Sequence, residues 1–319
     1  MEKTLTLATN TPKRKKRKKS ANEIAFMITM MAIPVIHFCV FWLYINVDSI
    51  FLSFKAFDMK TGVWKWTGFS NYVELYRQFT KEGSVLPRAL FNSFSVFLWN
   101  DFIIVPLSLF CSYMLYKKMP LNNVFKVIFF LPSIISVSVL TLAYSYMLNS
   151  SIPDFLEKIG LEDLVPYGGF FANPATAWWT ILIYGLWSGI GGNVVLISGA
   201  MARIPDEVIE AGKIDGLGLM GEFFHVIIPL IGSTLATLLL MGTAVIFSYF
   251  LQPKLILGDA AESAKGFTIG LYIVNNVRDN GTPQMAMGAT IGVICAIIGT
   301  PLVIFTRNIL DKLFPAYEY

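Results

Sequence analysis

The chain has 319 residues, of which 55% are hydrophobic and only 14% charged, against about 25% charged in an ordinary soluble domain. So much apolar surface exceeds what a water-facing fold can bury, which excludes a soluble globular protein and requires an apolar surrounding; lipid is the simplest. The net charge of +4 says less than its distribution, because the charges sit between apolar stretches.

Residues 1–22 form a basic tail in which Lys13–Lys19 reads KRKKRKK. A nucleic-acid partner is one reading of such a run. With an apolar span beginning a few residues later, a topology anchor against anionic lipid is the better one, and no nucleic acid is expected. Each span needs roughly 20 apolar residues. Ile24 to Val47 gives the first and is too long for a cleaved leader. The second lies within Ala89 to Tyr116, interrupted by Asp101. The third runs from about Val127 to Leu148, the fourth from Ala175 to Met201, the fifth from Pro229 to Leu251 and the sixth from Met285 to Thr306. The expected fold is an all-α integral membrane protein with about six transmembrane helices over residues 23–310 and a short tail at 311–319.

Lys and Arg in short flanks set orientation. The tail and the 2–3 loop, with Lys117, Lys118 and Lys126 and no acid, belong inside, and the acidic 3–4 loop belongs outside. Both termini are then cytoplasmic and the chain is a multi-pass protein of the cell membrane. The 4–5 loop should be inside, yet it holds only Arg203 and Lys213 against five acids. A loop that defies the charge rule is under another constraint.

That loop, 202–229, reads as helix, glycine turn, helix. Pro205 suits a first turn, Asp206 and Glu207 suit the positive end of a helix dipole, and Gly216 and Gly218 are stop signals. So short an element is marginal alone and needs a docking surface. Cys39, Cys111 and Cys295 all fall in apolar stretches and lack metal-ligand spacing. His37 and His225 are far apart, so no metal and no catalytic site is expected.

The order Glu210-Ala211-Gly212, Asp215-Gly216, Phe223, then Val226, Ile228 and Pro229 resembles the EAA loop of bacterial ABC-importer permeases. The family pattern is EAA, three positions, G, nine positions, I-x-L-P; Gly212, Val226 and Ile228 depart from it in type but not in spacing. Further resemblances lie at Pro34, Ser53-Phe54, Gly68-Phe-Ser-Asn71-Tyr72, Asn92-Ser93, Phe129-Phe-Leu-Pro132, Trp187-Ser-Gly-Ile-Gly191 and Ile204-Pro205. They narrow the likeness to carbohydrate importers, in particular to the first permease of a heterodimeric pair. The resemblance implies the type I importer architecture and alternating access. It also implies a second permease, two cytoplasmic ATPase subunits that dock on this loop and an extracytoplasmic sugar-binding protein. ATP would be bound by the partners, so the chain itself is expected to hold no cofactor and to be no enzyme. Glu210, Ala211, Gly212, Asp215, Gly216, Phe223 and Pro229 would couple to the ATPase.

Inside the membrane, Gly185/Gly189 and Ser188/Gly192 in span four, and Gly288, Gly292, Ala296 and Thr300 in span six, repeat at four-residue spacing. Such stripes serve close packing or a sliding face beside a path. Asp101 must face protein or water: as an ion site, as part of a polar path, or as a hydrogen-bonding link between helices. Asn193, Trp187 and Asp101 are the candidates for a substrate path, while Trp178 and Trp179 read as interfacial anchors. The rival reading is an ion-coupled secondary transporter of a small polar solute, which calls for paired ionisable groups and duplicated halves.

Overall fold

The computed structural model describes residues 20–261 and 265–314. The basic run Lys13–Lys19 and the end of the C-terminal tail lie outside them. The chain divides into residues 1–51 and 52–319. In the first unit, helix α1 (Ala21–Leu52) is apolar all round and buries none of its side chains, as expected of a helix whose solvent is lipid. Its stretch Phe38–Tyr44 winds as a π-helix four residues beyond Pro34, whose missing N–H disturbs the bonding ladder there.

The second unit opens with a hairpin, β1 (Lys55–Asp58) and β2 (Val63–Trp66), which the helical reading did not foresee. Its register pairs Lys55 with Trp66 and Asp58 with Val63. Lys65 hydrogen-bonds Asp58 and holds its carboxyl below the usual range. Helix α2 (Ser70–Thr80) follows. Asn71 donates to the carbonyls of Ser53 and Lys55, both at 2.8 Å, and Tyr72 lies 2.8 Å from the Ser53 hydroxyl. The Asn-Tyr pair thus fastens α2 to the segment that leads into the hairpin.

Three further long apolar helices are α3 (Leu86–Tyr116), α6 (Ala177–Met201) and α12 (Thr282–Leu313). Two of the expected spans are bent. The third is α4 (Asn122–Ile134) and α5 (Val137–Lys158), which meet at 108°. Pro132 removes one ladder donor near the end of α4, and Ser136 starts a new helix by accepting from the Val139 amide. The other bent pair, meeting at 72°, is α8 (Leu219–Leu230), the second helix of the 202–229 loop, and α9 (Gly232–Ala244), inside the expected fifth span. Instead of reaching Leu251, α9 ends at Ala244, and α10 (Leu251–Leu257) starts afresh. Pro253 keeps a helix from running through 249–253: it has no N–H for the Tyr249 carbonyl and would clash with it in a continuous helix. That carbonyl accepts from Thr268 Oγ1 instead, at 2.5 Å. Counting each bent pair as one span gives six.

Helix α11 (Ile269–Asn280) is capped by Thr268. The buried Asn92-Ser93 pair on α3 holds the chain that leads into it. Asn92 donates to the carbonyls of Lys265 and Phe267, and Ser93 accepts from the Ile269 amide, at 2.8–2.9 Å. Trp178 also departs from expectation. It is 8% exposed and donates to Ser95, so it is a core residue, whereas Trp179 is exposed.

At Gly191, outside the small-residue pairs expected to pack, α4 comes close against α6. A Cβ there would lie 2.3 Å from the Phe129 carbonyl oxygen, whereas one at Gly192 would meet nothing within 4 Å. Gly191→Ala should therefore destabilise the bundle by about 1–3 kcal/mol through overpacking, and Gly192→Ala should stay within about 0.5 kcal/mol. Thermal unfolding of the two purified variants in detergent checks this; equal effects would contradict it.

Candidate functional site: the coupling loop and the membrane cavity

Helix α7 (Asp206–Ile214) starts at Pro205 with Asp206 and Glu207 in its first turn. It ends in a Schellman motif: the Leu217 amide reaches the Gly212 carbonyl, the Gly216 amide reaches that of Lys213, and Gly216 takes φ +81°. An L-residue is strained at that φ, which is why glycine stands there. Gly218, expected to end a helix, instead starts α8.

The loop has two faces. One is packed into the bundle: Ile209, Gly212, Phe223 and Ile227 are buried, within a core shared with Val105, Leu109, Tyr113 and Ile197. Gly212 lies under Leu217 and Val226, which a Cβ would meet at 3.3 and 3.7 Å, so the departure from alanine here suits close packing. The other face is open. Glu210, Ala211, Asp215 and Gly216 are exposed, and Ile214, Leu219 and Met220 project with 85%, 65% and 61% of their surface uncovered. Pro229 is half-buried in α8.

A charged link fixes the buried face. Glu222, only 3% exposed, accepts from Lys117 Nζ at 2.6 Å, and Tyr113 donates to the Leu219 carbonyl at 2.9 Å. The Lys117 ammonium also lies over the Tyr113 ring, and Tyr113 packs on Phe223 at 4.9 Å. Both Lys117 and Tyr113 lie at the end of span two that leads into the 2–3 loop. Sequence reasoning had counted Lys117 only as a topology signal and Glu222 only as one of five acids. The spacing Lys117…Glu222 carries no local pattern that would have paired them.

In the membrane, α3, α6, α9 and the start of α10 enclose a cavity of about 450 Å³. Its polar groups are Asn100, Ser188, Asn193, Tyr249 and Gln252, and Gly185, Gly189 and Gly192 line its α6 wall. The glycine pairs of span four thus make room for a cavity. Asn193 and Gln252 have no hydrogen-bond partner among the described residues. Phe97 and Trp99 add aromatic surface.

Two other candidates for the path lie elsewhere. Trp187 stacks with Tyr144 and meets Tyr184 edge-on. Asp101 is buried in a π-helical turn, Asn100–Ile104, just ahead of Pro106. It accepts from Asn100 at 2.8 Å, with Thr243 as a further partner. A Cβ on Gly242 would strike its carboxylate, at a separation of 2.2 Å. Asp101 therefore ties span two to α9 and at the same time orients Asn100, which does line the cavity.

Residues 104–317, more than half of the chain and including the whole coupling loop, match the family model of the binding-protein-dependent transport system inner membrane component. The chain belongs to this family. It is a multi-pass membrane permease component of the ATP-binding-cassette importer type. Among similar proteins is a probable ABC transporter permease protein, YurN, of Bacillus subtilis, 25% identical over 74% of this chain and 80% of its own. Another is the arabinooligosaccharides transport system permease protein AraP of the same organism, 24% identical over 83% and 82%. A bacterial alginate ABC transporter, solved in complex with an alginate pentasaccharide-bound periplasmic protein, shares the fold. Its TM-score is 0.76 at 17% identity, over 93% of this chain and 98% of that one. This is the type I importer architecture, and nothing in these likenesses supports an ion-coupled transporter.

Removing one member of a buried ion pair strands the other and costs about 3–5 kcal/mol; replacing both by apolar residues is near neutral. Lys117 retains 20% side-chain exposure, so the lower end applies. Lys117→Met in the permease should lower stability by about 3 kcal/mol, and Lys117→Met/Glu222→Leu should recover most of it. Unfolding midpoints in detergent measure both, and a double variant no better than the single would contradict the pairing.

Proposed function

We propose that this chain is the first permease of a heterodimeric sugar importer. Each of two cytoplasmic ATPase subunits docks on one permease, and an extracytoplasmic binding protein delivers an oligosaccharide. The observation that carries the coupling role is the division of the 202–229 loop. One face is anchored in the bundle by Phe223 and Glu222, while the other leaves Glu210, Ile214, Leu219 and Met220 exposed among the described residues. Exposed apolar residues beside a carboxylate on an anchored helix suit a protein partner. This reading sets the loop and both termini in the cytoplasm. It also explains the acidity that defies the lysine rule, since the loop's charges answer to a docking cleft.

The sugar substrate is supported by the cavity's chemistry. A polyhydroxylated solute needs donors and acceptors beside flat apolar faces. The unpartnered amides of Asn193 and Gln252, with Asn100, Tyr249 and the rings of Phe97 and Trp99, supply both. The curated relatives that name a substrate, such as the arabinooligosaccharide permease, point the same way. Transport proceeds by alternating access. ATPase closure moves the loop, the loop carries the inner end of span two through Lys117 and Tyr113, and span two reshapes the cavity at Asn100.

Truncating a desolvated interface charge costs roughly 2–5 kcal/mol, and each 1.4 kcal/mol is about tenfold in affinity. Glu210→Lys should therefore weaken ATPase docking by one to several orders of magnitude, with the permease inserted at normal levels. Glu207→Lys, one turn earlier, controls for bulk charge. Co-purification of the ATPase and uptake in reconstituted vesicles read the outcome. Normal transport by Glu210→Lys, or equal damage from both variants, would contradict the docking role.

A further inference from the structure

Beside the coupling loop, but distinct from its docking face, a second cavity of about 1000 Å³ opens between the end of α3, the start of α4 and the end of α6. Leu115 and Phe130 contribute apolar wall, and Lys118 and Lys126 stand at its edge without an acidic residue in the lining. Neither lysine has an ion pair among the described residues, unlike the adjacent Lys117, which Glu222 engages. Two buried polar atoms that line the same cavity, Asn122 Oδ1 and Ser198 Oγ, also have no hydrogen-bond partner. The turn that carries Lys118 is held by two non-glycine residues with positive φ, Lys118 at 52° and Leu121 at 64°.

We propose that this cavity binds an anionic phospholipid of the leaflet that faces the coupling loop. The two free ammonium groups suit a phosphodiester, and the apolar walls suit the acyl chains. The unpartnered amide and hydroxyl suit the ester and glycerol oxygens and hydroxyls that lie between them. A free phosphate would use the lysines and leave the walls uncovered. Basic cavities between membrane helices on the cytoplasmic side are a known solution for such headgroups. The site lies where the 2–3 loop leaves span two one residue past Lys117, so an occupied cavity would brace the same segment that receives the loop's motion. The assignment of the leaflet rests on the cytoplasmic placement of that loop.

The test uses the complete transporter, both permeases with their ATPases. Native mass spectrometry during stepwise addition of phosphatidylglycerol should show a retained lipid. The double variant Lys118→Gln/Lys126→Gln should weaken it about 30-fold, each lysine near an anionic surface contributing about fivefold; Lys312→Gln, an exposed lysine at the end of α12, should leave it unchanged. A photoreactive residue in place of Phe130 should label lipid, and ATP-driven uptake into sealed phosphatidylcholine vesicles should rise when phosphatidylglycerol is added. Equal loss in Lys312→Gln would reduce the effect to bulk surface charge and overturn the site. Displacement of the lipid by millimolar inorganic phosphate would make it a free-anion site, and a photoadduct to the second permease would make it a protein interface; either overturns the proposal. Impermeant thiol labelling of Lys118→Cys tests the leaflet separately. Labelling from outside would sink the topology and leave the lipid binding to be judged on its own result.

Discussion

A carboxylate taken out of water beneath a surface loop calls for a cation, and in this protein that demand joins the 202–229 loop to the end of span two. Glu222 is buried in the second helix of the loop, and Lys117 at the end of span two is the group that meets it. The pair cannot separate without leaving a buried charge unpaired. Tyr113 adds a hydrogen bond to the loop backbone and a ring under Phe223. The loop is thus joined to one membrane helix by charge, hydrogen bond and packing together. On the proposed reading, a force received on the exposed side reaches span two through the buried side.

Span two carries the same theme into the membrane. Its π-helical turn ahead of Pro106 rotates Asp101 toward Gly242 and leaves Asn100 on the cavity. With no water at hand, every backbone group that a proline leaves unpaired must find another partner. Thr268 takes the Tyr249 carbonyl that Pro253 cannot serve, and Ser136 caps the helix that resumes after Pro132. The first of these repairs serves the break between α9 and α10, and the second serves the bend of span three. The shortened α9, about 20 Å long at 1.5 Å per residue, is shorter than the hydrocarbon layer of about 30 Å and opens onto the cavity lined by Tyr249 and Gln252.

Much of this was legible in the residues. Lipid demands long apolar segments, so six spans could be counted from composition, and the family resemblance lay in the spacing from Glu210 to Pro229. Direction was less legible. A window of apolar residues reports how much surface is greasy but not whether the helix turns, so the break at Ile135 and the one between Ala244 and Leu251 were missed even though Pro132 and Pro253 stood beside them. Trp178 was read as an interfacial anchor because a tryptophan pair near a span end suits that place; its indole instead finds Ser95 inside the bundle. Asp101 and Asn100 are neighbours in sequence, and only the helical distortion decides which of them faces the cavity. Lys117 and Glu222 were each visible as charges, yet no periodicity links residues so far apart, and the contact that joins loop to span could be found only in three dimensions.

The central claim is that the loop and the inner half of span two move as one body, and inter-label distances measure it most directly. Spin labels at Phe224 on the loop, outside the proposed docking residues, and Phe102 on span two, both exposed positions, can be followed by pulsed electron resonance in the reconstituted transporter. The distance should stay constant between the nucleotide-free and ATP-trapped states, and it should broaden on ATP binding when Lys117 is replaced by Met. A shift of several ångströms between the two states of the otherwise native protein would contradict it, because the loop would then be moving independently of the helix to which Glu222 holds it.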